Sequence, residues 1–170
     1  GILCYPEIIN CTITKNSGGG AGGGLYVRSS SHVSVANSIL WNNTGGEILI
    51  SSGGGTVNAD YCDVQGGYTG AGNIDADPLF VNGPQGAYSL SQTAAGQPAD
   101  SPCVDGGDVP AGEVCFTAAA GTICLDQITT RTDHVIDLVT VDLGYHYDPE
   151  ESLTVAAGLA CLPSSGTLPF

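Results

Sequence analysis

The sequence predicts an all-β fold of the solenoid kind, a right-handed parallel β-helix with an irregular, loop-rich C-terminal end. Three observations lead there. The segments Ile9–Asn16, Ala36–Asn43 and Asp60–Gly66 resemble one another, and matching Asn10, Asn37 and Tyr61 gives a repeat of about 24–27 residues. Each segment is followed by a Gly-rich turn, at Gly18 to Gly24, Gly45-Gly46 and Gly66-Gly67. No stretch shows the 3.6-residue periodicity of an amphipathic helix.

Each repeat is too short to bury an apolar face alone, so the pattern predicts stacking of equivalent strands at ~4.8 Å spacing. Alternation would send Ile9, Cys11 and Ile13 inward in the first repeat, Ala36, Ser38 and Leu40 in the second, and Cys62 and Val64 in the third. Asn10 with Asn37, and Asn16 with Asn43, fall at turns, where Asn tolerates positive φ and its amide can bond along the stack. Residues 1–68 are read as the coils, 69–149 as further coils with a loop-rich cap, and 150–170 as a linker and the start of a β-sandwich-like module. On this reading the chain is part of a longer secreted precursor.

Charge narrows the partners. Three basic residues, Lys15, Arg28 and Arg131, stand against 17 acidic ones, for a net charge of −14. Attraction to nucleic acid needs clustered Lys or Arg, and none is present. No run approaches the roughly 18–20 apolar residues of a membrane-spanning helix. Seven cysteines without a Cys-x-x-Cys pair suit an oxidising compartment better than a metal site. Cys115 and Cys124 flank a short excursion containing Gly121 and are the expected disulfide. Cys11 and Cys62 fall two repeats apart, roughly 9–10 Å, beyond disulfide reach, and are expected as packed thiols. Cys4, Cys103 and Cys161 are left without an assigned partner.

Four ordered motifs follow the repeats: Cys62-Asp-Val-Gln-Gly-Gly67, Gly72-Asn-Ile-Asp-Ala-Asp-Pro-Leu-Phe80, Ser101-Pro-Cys-Val-Asp-Gly-Gly107 and Val141-Asp-Leu-Gly-Tyr-His-Tyr147. This series resembles the C-terminal part of secreted bacterial β-helix proteins of the pectate-lyase-like superfamily, of the "choice-of-anchor" type. The resemblance implies export and a place outside the cell or on its surface. It implies no activity, since the superfamily holds polysaccharide lyases, hydrolases and adhesins alike.

Chemistry is thin in the residues themselves. The lyase pattern needs Arg or Lys beside an acidic cluster, and the hydrolase pattern needs grouped Asp with His and an Arg-x-Lys element; neither is found. His32 reads as a solvated turn residue and His146 as a packing residue between Tyr145 and Tyr147. Asp133, Asp137 and Asp142 spread three carboxylates over one region. Ca²⁺, which takes roughly six to eight oxygens, is the cofactor they would suit. Asp75 and Asp77 form a second acidic pair, with turn capping as the simpler role.

The expected function is a noncatalytic extracellular structural or adhesive module of a surface protein, with no catalytic residues assigned. Two alternatives stand beside it: a self-assembling fibre subunit stacking head to tail through open strand edges, and a fragment of a polysaccharide lyase or hydrolase. The expected partners are neighbouring coils or subunits at those edges, and polysaccharide.

Overall fold

The computed structural model describes residues 4–18, 22–28, 30–118 and 121–149. The linker and β-sandwich start expected over 150–170, and Cys161 with them, lie outside the described residues.

Eight short strands carry the first part: β1 (Glu7–Ile9), β2 (Thr12–Thr14), β3 (Leu25–Val27), β4 (His32–Ala36), β5 (Ile39–Trp41), β6 (Ile48–Ile50), β7 (Thr56–Asp60) and β8 (Asp63–Val64). They pair in parallel as β1-β4-β7, β2-β5-β8 and β3-β6. Ile13, Leu40 and Val64 stand side by side across the second sheet, at the predicted 27- and 24-residue steps. Val27, Val33, Val35, Leu40, Val57, Ala59, Cys62 and Val64 close a common interior.

The phase of the alternation differs from expectation at Ile9 and Ala36. Ile9 is 45% exposed, and the inward row of the first sheet is Ile8, Val35 and Ala59. The cause is local. Asn10, Asn37 and Tyr61 all sit in the left-handed region, at φ 50°, 49° and 51°. One such residue breaks the pleat, so side chains before it shift by one position relative to those after it. The next residue repeats a single contact: Cys11 Sγ, Ser38 Oγ and Cys62 Sγ each donate to the carbonyl two residues back.

The expected Asn ladder forms at one of its two places. Asn43 Oδ1 accepts both the backbone N–H and the side-chain amide of Asn16, at 2.9 and 3.1 Å. Asn10 and Asn37 turn their amides instead to Asp142 O and Asp108 Oδ1 in the second part of the chain.

A right-handed parallel β-helix is not the architecture of this chain. Among the described residues the strands are distributed over five small sheets, three parallel and two antiparallel. Beyond Val64 the repeat gives way to hairpins, single bridges and 3-10 turns. β9 (Phe80–Gly83) folds back on β10 (Gly86–Leu90), and β11 (Cys115–Ala118) on β12 (Gly121–Cys124). The sequence explains the change: Pro78, Pro84, Pro98, Pro102 and Pro110 lack the N–H that a continuing ladder needs. Ile74 still pairs in parallel with Asp63, and later parts of the chain pack on the outer face of β2-β5-β8, where Ile39 joins Leu90, Cys103 and Leu143.

The sheets differ at their two ends. Among the described residues β1, β2 and β3 each have a neighbour on one side only. On the far side, residues 68–77 cover β7 and β8. Ala71 O accepts Tyr61 N–H, Asn73 Nδ2 donates to Ala59 O, and Ile74 bridges to Asp63.

Cys115 and Cys124 form the expected disulfide, directly opposite each other in the β11–β12 hairpin. Among the described residues Cys4, Cys11, Cys62 and Cys103 are free. Burial pushes the Cys62 thiol up to about 11 and raises that of Cys103 as well, with Asp63 beside it adding to the effect. Both pack as small apolar groups. Among the described residues no helix is long and apolar enough to cross a membrane.

Candidate functional site

Two places gather polar side chains. The first is buried except at Asp105, which is exposed, and includes part of the predicted acidic set. Asp137 and Asp142 come together, and Asp105 joins them, with one carboxylate oxygen of each within 4.8 Å of the others. Asp133 does not join. Its carboxylate takes both Arg131 Nε and Nη2, at 3.1 and 2.7 Å, which keeps the guanidinium charged despite partial burial.

Each oxygen of Asp142 has a donor: Asp105 N–H at 2.7 Å and Thr130 Oγ1 at 2.5 Å. Burial, and then the neighbouring Asp137, raise its carboxyl to about 6, against these hydrogen bonds. Asp137 Oδ2 accepts Asp142 N–H at 2.7 Å and faces His146 Nε2 at 3.0 Å. His146 Nδ1 lies 3.1 Å from Gly144 O, a pure acceptor, so Nδ1 carries a proton. The ring thus bridges the Asp137 carboxylate and the Gly144 carbonyl beside Asp142. His146, expected only to pack, is the partner that sequence reasoning missed.

Asp63 extends this buried polar seam. Its side chain accepts Cys103 Sγ at 3.2 Å and Ala76 N–H at 3.2 Å, and burial raises its carboxyl to about 6. Three of the four sequence motifs supply these groups through Asp63, Cys103, Asp105, Asp142 and His146. The remaining motif supplies Ala76 and Pro78, whose carbonyl accepts Ser101 Oγ at 2.7 Å. Asp75 and Asp77 cap turns through Gly66 N–H and Leu79 N–H. The acids here hold backbone in place, and none pairs with an open, reactive neighbour.

The second place is open and was not singled out in the sequence. A groove of about 500 Å³ runs along β2, lined by Cys11, Thr12, Thr14, Asn16, Gln85, Tyr88 and Tyr145. Its two tyrosines are 43% and 49% exposed. Glycines position both. Gly86, at φ 120°, leaves room for the Tyr88 ring, which a Cβ there would meet at 2.9 Å. Gly144, at φ 90°, lets the chain approach Thr12 and Ile39, where a Cβ would come within 2.6 Å of Thr12 Oγ1. That hydroxyl accepts Tyr145 N–H at 3.0 Å. The only signal in the sequence was parity: Tyr88 alternates with the inward Ser89, and Tyr145 with the inward His146.

His32 departs from the turn expected of it. It lies on β4, bonds Thr56 Oγ1 at 2.8 Å and stacks on Tyr5. Comparison with family models, curated proteins and solved structures finds no match to this chain.

Proposed function

We propose that this chain is a noncatalytic extracellular module that adheres to a surface through the groove between Tyr88 and Tyr145. The observation that carries this reading is the groove itself: two exposed aromatic side chains, held by close glycine contacts, over a floor of hydroxyl and amide groups. The division of labour among polar groups supports it. The carboxylates that chemistry would need are buried and engaged with backbone N–H, Thr130 and His146, whereas the groove lining carries no acid or base. The Cys115–Cys124 disulfide supports an oxidising compartment outside the cytosol.

Head-to-tail fibre formation has less support. Residues 68–77 cover β7 and β8, so a copy docking on the β1 and β2 edges finds the two corresponding edges of its neighbour already paired. A lyase or hydrolase reading has no observation in its favour.

The test is adsorption to insoluble extracellular polymers and to cell-wall fractions. The native chain should be retained, and Tyr88→Ala with Tyr145→Ala should be released while melting at the native temperature. Equal retention of the double variant, or bond cleavage lost on Asp142→Asn, would refute the reading.

A further inference from the structure

The ligand of this groove can be narrowed by its chemistry, and the inference rests on the adhesive reading above. We infer that the groove binds a neutral saccharide chain, with Tyr88 and Tyr145 stacking on sugar rings and Thr12, Thr14, Asn16 and Gln85 meeting its hydroxyls.

The lining decides between ligand classes. A purely apolar partner would strip water from the Gln85 amide, from Asn16 Oδ1 and from the Thr12 hydroxyl hydrogen without replacing it, which is unfavourable. A nucleic acid or an acidic polysaccharide needs cations, and the lining supplies none. The chain's −14 charge repels both. A cationic ligand would call for carboxylates in the groove, and those are elsewhere. What remains is a ligand with alternating apolar faces and hydroxyl edges and no charge, which describes a neutral sugar ring. Aromatic side chains suit the C–H face of such a ring, while hydroxyl and amide groups can donate or accept as the sugar requires.

Thr14 strengthens the assignment. It lines the groove, and its Oγ1, buried just beneath that surface, is left without a hydrogen-bond partner by the fold, which gives this wall an unsatisfied polar group. The Tyr88 ring lies against Gly86 and the Tyr145 N–H is held by Thr12 Oγ1, so both rings are presented from positions the fold contacts.

Isothermal titration of the native chain with oligosaccharides of glucan, mannan, xylan and galactan, against oligogalacturonate and a neutral Ser/Thr-rich decapeptide, tests this. At least one neutral oligosaccharide should bind saturably. Tyr88→Ala and Tyr145→Ala should each weaken it roughly three- to tenfold. Tyr88→Phe, which keeps the ring, should bind nearly as the native chain does, and all variants should melt normally. Gly86→Ala should weaken binding by displacing the Tyr88 ring. Tighter binding of oligogalacturonate or of the decapeptide, no binding of any neutral oligosaccharide, or equal binding by the tyrosine variants would overturn the saccharide assignment. If polymer adsorption still depends on Tyr88 and Tyr145 while no oligosaccharide competes, the ligand class is wrong and the adhesive reading stands.

Discussion

Residues 7–64 and residues 80–147 solve the same problem, short strands in a Gly-rich chain, by different means. In the first region equivalent residues lie side by side in parallel sheets, and the interior is a set of rows such as Ile13, Leu40 and Val64. In the second, two antiparallel hairpins and single bridges are tied down by long-range polar contacts and one disulfide. Apolar stacking dominates the first region. Carboxylates bonded to backbone N–H join two small apolar clusters, Leu90, Cys103 and Leu143 on Ile39 and Ala111, Leu125 and Val141, in the second. A repeat thus specifies a core cheaply, whereas an irregular region needs particular polar partners at particular distances.

The largest effect should come from the first region. Leu40 is fully buried between Ile13 and Val64, so Leu40→Ala removes atoms from the centre of the stack and leaves a cavity. It should cost about 3–5 kcal/mol in chemical denaturation. A loss below about 1 kcal/mol would mean that the rows collapse freely and do not carry the region.

Reducing the disulfide should weaken the second region. Its sequence separation of 9 corresponds to roughly 2.5 kcal/mol of chain entropy. Hydrogen exchange should rise at β11 and β12 and stay slow in β4 and β7. Equal acceleration in both regions would erase the distinction between them.

The seam between the regions should show in the pH dependence. Asp63 is raised to about 6 by burial, above its ordinary value of 3.8. The folded state therefore binds a proton that the unfolded state has lost. Stability from this group is fully present below pH ~4 and falls as pH rises to ~6, by on the order of 2 kcal/mol. Asp142, raised in the same direction, adds to the slope. Asp63→Asn should flatten this window, as followed by denaturant midpoints between pH 4 and 7. A native chain that gains stability across this range would contradict the assignment.

Calcium should have the smallest effect. Arg131 already offsets Asp133, and Thr130, His146 and backbone N–H groups occupy Asp137 and Asp142. Chelation should move the melting temperature by less than about 1 °C. A larger rise in millimolar calcium, lost in Asp137→Asn, would place an ion among Asp105, Asp137 and Asp142.

The sequence made the first region legible because a repeat compares residues with one another. Ile13, Leu40 and Val64 could be aligned, and Asn10, Asn37 and Tyr61 matched. The left-handed backbone was legible at Asn10 and Asn37 but not at Tyr61, and it falls at Lys15 and Asn42 where Asn16 and Asn43 were expected. Its effect on phase was missed, so Ile9 was expected inside. The disulfide was legible from a short loop around Gly121. The parallel β-helix was wrongly expected: the short strands fall into small separate sheets, and the later motifs lack the repeat and carry prolines. Asp105 and His146 reach Asp142 and Asp137 only through folding, as Asp105 lies 37 residues from Asp142. The groove was hidden for the same reason. Thr12 and Tyr145, 133 residues apart, meet through a backbone hydrogen bond that no local pattern encodes.

The central claim is that binding resides in the open groove and not in the buried acids. Amide chemical-shift mapping with a bound neutral oligosaccharide tests it most directly. The account predicts shifts at Thr12 to Asn16, at Gln85 to Tyr88 and at Gly144-Tyr145, with Asp105, Asp137 and Asp142 left unmoved. Shifts centred on those three aspartates, or spread along β3 and β6 with the groove silent, would contradict it.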